Sequence, residues 1–302
     1  MDLPVNYRCG FVAVVGRPNV GKSTIVNRLV GQKISITARR PQTTRHRILG
    51  VCTRTEFQAI YVDTPGMHRE GKYAMSRYLN RTAHAALGGV DVVVMVVAGT
   101  KWVEEDDLVL GILNSVRVPV ILAINKSDLV HDKSLLLPYL QQLSTKRDFF
   151  QLVPLSALRG DNINLLEQVV VPLLPEGHAQ FSVDQVTDRS LRFIAAELVR
   201  EKLIRHLGAE LPYAITCEVE SFVEKDGLMR VGIIIWVERP GQKGIVIGKN
   251  GTLLKQVGQE AREDMERCFE RKVFLETWVR IRTGWSDDEQ ALKNFGYESI
   301  TL

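Results

Sequence analysis

The eight residues GRPNVGKS, Gly16 to Ser23, have the composition and spacing of a phosphate-binding loop. They fit the pattern G-x-x-x-x-G-K-S and follow an apolar run that predicts a strand. Backbone N–H groups of such a loop surround the α- and β-phosphates of a nucleotide, helped by the positive N-terminus of the next helix. Lys22 would reach the β- and γ-phosphates, and the Ser23 hydroxyl would bind Mg²⁺. The stretch therefore predicts a nucleoside triphosphate site without specifying the base.

A second stretch, DTPG at residues 63–66, ends another apolar run. Asp63 is well placed to hold Mg²⁺ through a water molecule, and the N–H of Gly66 is placed to sense the γ-phosphate. Taken alone, the tetrapeptide would be an ordinary turn. Because it follows a phosphate loop, it predicts a metal-binding segment.

Residues that would recognise the base follow two further apolar runs. The aspartate of NKSD, residues 125–128, can accept both N1–H and N2–H₂ of guanine, a donor pair that adenine lacks. Asn125 would contact the N7/O6 edge of the purine, and the Lys126 stem would cover its ring. SAL, residues 156–158, would complete the pocket, with the Ala157 N–H facing O6. The sequence therefore predicts a guanine nucleotide.

A second glycine loop, VIGKNG at residues 246–251, lies far along the chain from the first. It is not another loop of the first kind, because Gly248 and Gly251 are too close together and no G-K-S/T follows. It fits G-x-x-G between two helical segments, a loop that clamps the backbone of about four single-stranded nucleotides. Lys249 would add positive charge there. The alternative is a plain helix–turn–helix connection in a small α+β domain.

Five short apolar runs in the first ~180 residues would position the first set of motifs. They read FVAVVG, FQAIYVD, DVVVMVVAG, PVILAIN and FQLVPLS, and most are separated by stretches long enough for helices. Strand–helix alternation of this kind predicts an open, mostly parallel α/β sheet covered on both faces. Such sheets bind ligands at the carboxyl ends of their strands, where these runs end in motif residues.

The pattern changes after the segment VVPLLPEGHAQFSVDQVTDRS. We place a domain boundary near Phe181, with domain 1–180 before it, domain 181–302 after it and a linker over about 172–190. The order then becomes helix, two strands, two helices and a strand, and EKDG between the first two strands is typical of a hairpin. The last strand would be VFLETWVRIRTGW.

Composition is compatible with two globular domains, since 302 residues include 45% hydrophobic and 25% charged residues. The net charge is +4, yet ten Lys or Arg and no Asp or Glu lie between Leu3 and Thr55, which suits a polyanionic ligand. The four cysteines are far apart, and we expect buried thiols rather than disulfides or a metal site. We expect no secretory signal and no bilayer-spanning segment.

Together these motifs resemble P-loop GTPases, and the C-terminal pattern is similar to the type II KH domain of the bacterial Era-like family. The resemblance covers nearly the whole chain and includes GRPNVGKST, GQKISIT, QTTRHR, DTPG, NKSD, TDRS, GAELPY, VIGKNG and GWSDDE. It implies an α/β, Ras-like GTPase domain with helices on both faces of the sheet, followed by an α+β type II KH domain that binds RNA. It also implies that Thr44, or alternatively Thr43, closes on Mg²⁺ when the γ-phosphate is present.

The predicted site residues form four groups. Catalysis would use Lys22, Thr44 and Gly66, and Mg²⁺ would be held by Ser23, Thr44 and Asp63. GTP or GDP would be bound by Gly16, Arg17, Pro18, Asn19, Val20, Gly21, Lys22, Ser23, Thr24, Asp63, Thr64, Pro65, Gly66, Met67, Asn125, Lys126, Ser127, Asp128, Ser156, Ala157 and Leu158. RNA would be bound by Ile245, Val246, Ile247, Gly248, Lys249, Asn250, Gly251 and Lys255.

Met67 bears on the rate of hydrolysis, because many GTPases have at this position a glutamine that orients the attacking water. A methionine cannot orient water by hydrogen bonding. His68 is one residue further, and we expect it to be a solvated loop residue. We therefore expect slow intrinsic hydrolysis, with the water positioned by backbone, by Mg²⁺-linked loops or by a partner.

The resemblance also implies partners and a location. It implies binding to the single-stranded 3′ end of 16S rRNA and a role in assembly of the 30S subunit and maturation of its rRNA. We also expect that the bound nucleotide, GTP or GDP, controls RNA binding. It implies a cytoplasmic protein with peripheral association at the inner membrane. We expect a monomer and no DNA partner. Two rivals remain open: a membrane-linked signalling GTPase whose second domain binds protein or lipid, and a KH fold that serves only as an interaction module. No lipidation signal or strongly basic amphipathic helix supports the first.

Overall fold

A computed structural model describes residues 6–69, 73–130, 132–208 and 211–297 of the chain. The outer ends of the two predicted domains, at residues 1 and 302, lie outside the described residues, as do the second and third residues of GAELPY. Two sheets organise the described part, one of six strands and one of three. We call the elements built on the first sheet the N-terminal domain and those built on the second the C-terminal domain.

The N-terminal domain is an open sheet with the strand order β2-β3-β1-β4-β5-β6. Its strands are β1 Arg8–Val15, β2 Ile48–Thr53, β3 Phe57–Asp63, β4 Val92–Ala98, β5 Val120–Asn125 and β6 Gln151–Pro154. Its helices are α1 Lys22–Val30, α2 Ala74–Ala85, α3 Glu104–Leu113, α4 Leu136–Ser144 and α5 Ile163–Val170. Only β2 pairs antiparallel, with β3, so the predicted mostly parallel sheet is confirmed.

Both faces of this sheet are buried, which explains why its central strands are continuous apolar runs. One face packs on α1 and α5 through residues such as Ile25 and Leu166. The other packs on α2, α3 and α4 through residues such as Val109 and Leu143. The motif loops follow the carboxyl ends of β1, β3, β5 and β6, and parallel pairing brings those ends to one edge. The sequence prediction missed β2, whose run ILGVCT is shorter than its neighbours.

The C-terminal domain has the predicted order of helix, two strands, two helices and a strand. These are α6 Leu191–His206, β7 Ile215–Lys225, β8 Leu228–Val237, α7 Pro240–Ile247, α8 Thr252–Phe269 and β9 Lys272–Ile281. β8 pairs antiparallel with β7 and parallel with β9. The predicted hairpin is present, since Asp226 and Gly227 at its tip have φ values of 55° and 73°, as its two-residue turn requires.

The chain beyond β9 differs from the prediction, which extended the last strand to Trp285. The strand ends at Ile281, a short turn runs over Trp285–Asp287, and a helix α9 spans Glu289–Asn294. Gly284 in the left-handed region, at φ 69°, ends the extended conformation. The Asp288 carboxylate then accepts hydrogen bonds from two backbone N–H groups of α9 and caps its start.

Some buried positions were also predicted wrongly. Cys9 and Cys52 are buried, but Cys217 is half-buried and Cys268 is exposed. None of the described helices has the length and apolar character needed to cross a bilayer.

Candidate nucleotide site and nucleic-acid groove

The phosphate loop wraps around the side chain of Lys22, which is only 6% exposed. Its Nζ donates to the carbonyls of Gly16 and Arg17, both at 3.0 Å. Burial lowers the pKa of Lys22 to about 8, while the nearby Asp63 carboxylate acts in the opposite direction. A phosphate group would favour the charged form of the same ammonium.

Gly21 allows the phosphate loop to meet the base-recognition segment. It has a φ of 102°, and a Cβ there would lie 2.2 Å from Asn125 Nδ2. Asn125 uses that nitrogen to donate to the carbonyl of Val20 at 2.8 Å. One residue thus links the predicted phosphate and guanine sites.

Three predicted metal ligands lie together at the start of α1. The Ser23 and Thr44 hydroxyl oxygens are 2.7 Å apart, and both oxygens of the fully buried Asp63 have no hydrogen-bond partner among the described residues. Burial raises the pKa of Asp63, opposed by the hydroxyls of Ser23 and Ser35 and by the charge of Lys22. Two hydroxyls, a buried carboxylate and the oxygens of a nucleotide are the hard donors that Mg²⁺ takes. The residues present therefore fit this ion.

Ser35 is a candidate residue at this position that sequence reasoning missed. It is 1% exposed, and its hydroxyl is unpaired among the described residues. Its backbone is fixed by Asn27 of α1, whose amide bonds to both its N–H and its carbonyl. Only the spacing within GQKISIT could have suggested it.

The DTPG segment lies against the phosphate loop. The N–H of Met67 donates to the carbonyl of Gly16 at 3.2 Å, and a Cβ on Gly66 would come within 2.6 Å of the backbone nitrogen of Pro18. The Met67 side chain is 2% exposed and packs in the core of the N-terminal domain. The expectation that His68 is simply solvated was wrong: its ring bonds to Ser76 Oγ at 2.9 Å and to the carbonyl of Gly66.

Gly66→Ala tests this close approach. The added methyl group would collide with the backbone of Pro18, and overpacking of about 1–3 kcal/mol corresponds to a loss of roughly 10- to 100-fold in affinity for a GTP analogue. GDP affinity should fall less, because GDP has no γ-phosphate to accept from the Gly66 N–H. Calorimetric titration with both nucleotides measures the difference, and equal losses for the two would contradict the expectation.

The base-recognition loops are preorganised around Asn125. Its Oδ1 accepts from the N–H groups of Ala157 at 3.0 Å and Lys126 at 2.7 Å. Lys126 Nζ reaches the carbonyl of Asn19 at 2.7 Å, so its stem bridges the place expected for the purine. The Asp128 carboxylate is fixed by Ser156 Oγ at 2.6 Å.

The loop that carries Thr43 and Thr44 docks on the C-terminal domain. Thr43 Oγ1 bonds within the loop to Arg40, while its carbonyl accepts from the guanidinium of Arg200 on α6. Arg200 is 1% exposed and forms a bidentate pair with Glu197 at 2.6 and 2.7 Å. Arg200 holds the pKa of Glu197 below its usual value although burial alone would raise it.

Further contacts extend this docking to both sides. Arg45 donates to the carbonyl of Ile215 at 2.8 Å and to Tyr297 Oη at 3.3 Å. His46 stacks on Tyr297 with ring centroids 4.6 Å apart, and burial lowers the pKa of His46 to about 3. At the start of the loop, Lys33 bonds to Glu201 of α6 at 2.6 Å.

Helix α2, which follows DTPG, packs on the far end of the C-terminal domain. Met75 and Leu79 join one apolar cluster with Trp285 and Leu292. Trp285 is fully buried there. The loop that carries Thr43 and Thr44 and the helix that follows DTPG are therefore both in contact with the C-terminal domain.

The second glycine loop has the conformation that its sequence predicts. Gly248 has φ 74° and ψ 172° and Gly251 has φ 76° and ψ 8°. A Cβ on Gly248 would lie 2.7 Å from Leu253 Cβ. This position therefore requires glycine both for its positive φ and for the lack of space. The loop joins α7 to α8, and Lys249 and Asn250 lie at its tip.

An open groove of about 540 Å³ starts at this loop and runs between α8 and β9. It is lined by Gly251, Leu254, Lys255, Gly258, Gln259, Arg262, Leu275 and Thr277. The predicted apolar wall needs correction, because Val246 is fully buried in the domain core while Ile245 is 53% exposed. Sequence reasoning included Gly251 and Lys255 but missed the β9 residues, since the pairing of β9 with β8 is a long-range feature.

Comparison with known proteins matches both parts of the chain. Residues 11–126 match the family model described as 50S ribosome-binding GTPase, and residues 210–286 match that of the KH domain. The GTPase Era of Xylella fastidiosa is 55% identical over 298 residues, covering 99% of this chain and 100% of that protein. The GTPase Era of Pseudomonas aeruginosa is 53% identical over 299 residues, covering 99% and 98%.

Two solved structures are similar over nearly the whole chain. A crystal structure of Era in complex with MgGDPNP and nucleotides 1506–1542 of 16S ribosomal RNA gives a TM-score of 0.93 at 35% identity, covering 96% of this chain and 99% of that one. A variant of Aquifex aeolicus Era bound to GDP and AlF₄⁻ gives 0.92 with the same identity and coverage. With relatives above 50% identity along its whole length, this chain belongs to the Era family of GTPases.

Proposed function

We propose that this chain uses its first glycine loop to bind GTP with Mg²⁺ and its second to bind the single-stranded 3′ end of 16S rRNA during assembly of the 30S subunit and maturation of its rRNA. The observation that carries the proposal is the docking of the Thr43–Thr44 loop on α6 through Arg200. A segment that closes on the nucleotide is thereby in contact with the domain that holds the rRNA groove. Family members with bound MgGDPNP and 16S rRNA support the two ligands.

The predicted nucleotide residues are part of the proposal. Lys22 would stabilise the phosphates, and Gly66 would hold the γ-phosphate through its N–H. The residues of NKSD and SAL would recognise guanine. Mg²⁺ held by Ser23, Thr44 and Asp63 would neutralise charge on the β- and γ-phosphates. For RNA, we retain Ile245, Ile247, Gly248, Lys249, Asn250, Gly251 and Lys255, and we add the groove-lining residues Leu254, Arg262 and Thr277.

Slow intrinsic hydrolysis follows from the residues near the γ-phosphate. Met67 is turned into the core, and the His68 ring is held by Ser76 and the carbonyl of Gly66. The side chains of these two residues therefore supply no general base aimed at the phosphate loop. Hydrolysis would then time the release of RNA rather than sustain metabolic turnover.

Control of RNA binding by the nucleotide would act through the docked loop. Closure of Thr44 on Mg²⁺ and the γ-phosphate would favour the position in which the Thr43 carbonyl binds Arg200, and loss of the γ-phosphate would weaken that preference. GTP would thus favour the domain arrangement described above. The coupling free energy of such systems corresponds to changes of about 5- to 150-fold in affinity.

Arg200→Ala should uncouple the two sites. Wild-type protein should bind an oligonucleotide of the 16S rRNA 3′ end with different affinities in GDP and in a non-hydrolysable GTP analogue. In the variant the two affinities should become equal, because Thr43 loses its partner and Glu197 is left buried without its cation, a defect that costs about 3–5 kcal/mol in such pairs. Fluorescence anisotropy of labelled RNA measures both affinities.

Arg192→Ala is the matched control, since Arg192 lies on the same helix but donates within its own domain, to the carbonyl of Val219. It should keep the wild-type difference between nucleotides. A difference that survives in Arg200→Ala, or one that is absent from the wild type, would contradict the coupling.

The remaining parts of the proposal concern organisation and location. We propose domains 1–180 and 181–302, a monomer, no DNA partner, and a cytoplasmic protein with peripheral association at the inner membrane. The linker runs along the N-terminal domain, where Val51 N–H donates to the Val186 carbonyl at 2.9 Å, and α6 starts at Leu191. Binding of the purified protein to the rRNA oligonucleotide and to 30S subunits tests the function directly, and failure to bind either would refute it.

A further inference from the structure

Arg28 connects the phosphate-binding helix to the base-recognition loop. It lies in the last turn of α1, and its guanidinium donates to two successive carbonyls of the loop, that of Ala157 at 3.0 Å from Nε and that of Leu158 at 2.7 Å from Nη2. We propose that Arg28 is a positioning residue that holds the Ala157 N–H toward O6 of guanine. This inference rests on the proposed contact between Ala157 and O6 and assigns the residue that maintains it.

Backbone hydrogen bonds tie the ends of the short SAL loop, from the Ser156 N–H to the Asp161 carbonyl at 3.0 Å and from the Gly160 N–H to the Ser156 carbonyl at 2.7 Å. Ala157 has only a methyl side chain, and the Leu158 side chain is 69% exposed and contributes little packing. The Ser156 hydroxyl is occupied by Asp128 and by the N–H of Arg159. Arg28 supplies the side-chain hydrogen bonds to the carbonyls of Ala157 and Leu158.

Ala157 is thus held from both ends. Asn125 Oδ1 accepts from its N–H at 3.0 Å, and Arg28 binds its carbonyl. Rotation of this residue would turn its N–H away from the purine edge. Arginine suits the role because its planar guanidinium presents two donors in a fixed geometry, which a lysine ammonium cannot reproduce.

The placement of Arg28 on α1 adds a second consequence. That helix begins at Lys22, directly after the phosphate loop. Arg28 therefore fixes the base-recognition loop relative to the element that holds the phosphates. The Ala157 N–H donates to Asn125 Oδ1 in this arrangement, and O6 of a guanine beside it would share or take over that hydrogen bond without a further ordering of the loop.

Affinities for three nucleotides distinguish a positioning role of Arg28 from a general effect on the structure. GDP offers every contact, and inosine diphosphate keeps O6 and N1–H but lacks the N2 amino group that Asp128 would bind. In 6-thio-GDP a sulfur, which is a weak acceptor, replaces only O6. Calorimetric affinities of all three at one Mg²⁺ concentration would be compared for wild type, Arg28→Ala and Arg28→Lys.

Arg147→Ala is the matched control. Arg147 also ties two backbone carbonyls, those of Leu113 at 2.7 Å and Val116 at 3.3 Å. These contacts lie near the amino ends of β5 and β6, opposite the nucleotide edge of the sheet. Thermal unfolding of each variant establishes that it is folded.

In Arg28→Ala we expect GDP affinity to fall about three- to tenfold, the effect of one neutral hydrogen bond. The preference for GDP over 6-thio-GDP should fall toward one, while the preference for GDP over inosine diphosphate stays at its wild-type value. Arg28→Lys should retain part of the preference for GDP over 6-thio-GDP that Arg28→Ala loses. Arg147→Ala should change neither.

Equal weakening of all three nucleotides in Arg28→Ala would overturn the proposal, as would unchanged affinities. A wild type that binds GDP and 6-thio-GDP equally well would refute the contact between Ala157 and O6, and with it the role of Arg28. A wild type that binds no guanine nucleotide would instead refute the proposed function.

Discussion

Asp128→Asn should shift the nucleotide preference of this protein from guanine to xanthine. The amide cannot accept from both N1–H and N2–H₂, but its NH₂ group can donate to the oxygen that xanthine carries at C2. GDP affinity should fall by about 10²- to 10⁴-fold, because two hydrogen bonds to a charged group contribute about 1.5–3 kcal/mol each. Competition between GDP and xanthosine diphosphate measures the shift.

Asp132→Asn provides a control a few residues further along the chain. Asp132 is exposed and bonds to Ser134 rather than to the base-recognition loops. The substitution should leave the preference for GDP unchanged. If Asp128→Asn also leaves it unchanged, the assignment of guanine recognition to NKSD is wrong.

Lys249→Asp combined with Lys255→Asp should abolish most binding to the rRNA 3′ end. Lys249 lies at the tip of the G-x-x-G loop, and Lys255 lines the groove beyond it. Each reversal replaces an attraction to phosphate by a repulsion, each about 1 kcal/mol for exposed charges screened as in water, so affinity should fall about 100- to 1000-fold. The slope of the logarithm of affinity against the logarithm of salt concentration should also decrease in magnitude by about two.

GDP affinity should not change in this double variant, because both lysines lie in the C-terminal domain. Arg54→Asp with Arg117→Asp carries the same change of charge on exposed residues of the N-terminal domain and should bind RNA normally. A similar loss in both double variants would mean that bulk charge, rather than the groove, holds the RNA. Substitution of Gly248 is a poorer test, since a Cβ there collides with Leu253.

Local patterns predict features that depend on residues adjacent in the chain. The phosphate loop, the DTPG and NKSD segments and the hairpin at Asp226–Gly227 each depend on a few adjacent residues with special backbone conformations or fixed donor sets. The two-domain fold followed from strand and helix periodicities, and the structure confirms it. Family resemblance supplied the ligands, which no periodicity specifies.

Features made by distant residues could not be derived in this way. Nothing in QTTRHR indicates that the Thr43 carbonyl meets Arg200, 157 positions later. The contacts of Arg28 with the SAL loop span 129 and 130 positions. Val246 and Ile245 are both apolar, and only the packing of α7 decides which of them is buried.

Trp285 illustrates the same limit for aromatic residues. The fully buried Trp285 packs with α2 and α9, whereas Trp278 on β9 is 39% exposed. Both follow the glycine loop in a basic stretch, and composition does not distinguish them. Their difference arises because the chain turns at Gly284 and folds back on the N-terminal domain.

The contact of Arg45 and His46 with Tyr297 has a consequence for biosynthesis. Tyr297 is added 252 positions after Arg45, which takes roughly 10–50 s at translation rates of about 5–20 residues per second. During that interval the newly made N-terminal domain has no Tyr297 on which His46 can stack. Premature termination would leave this aromatic surface uncovered, so that chaperones or proteases could distinguish incomplete chains from finished ones.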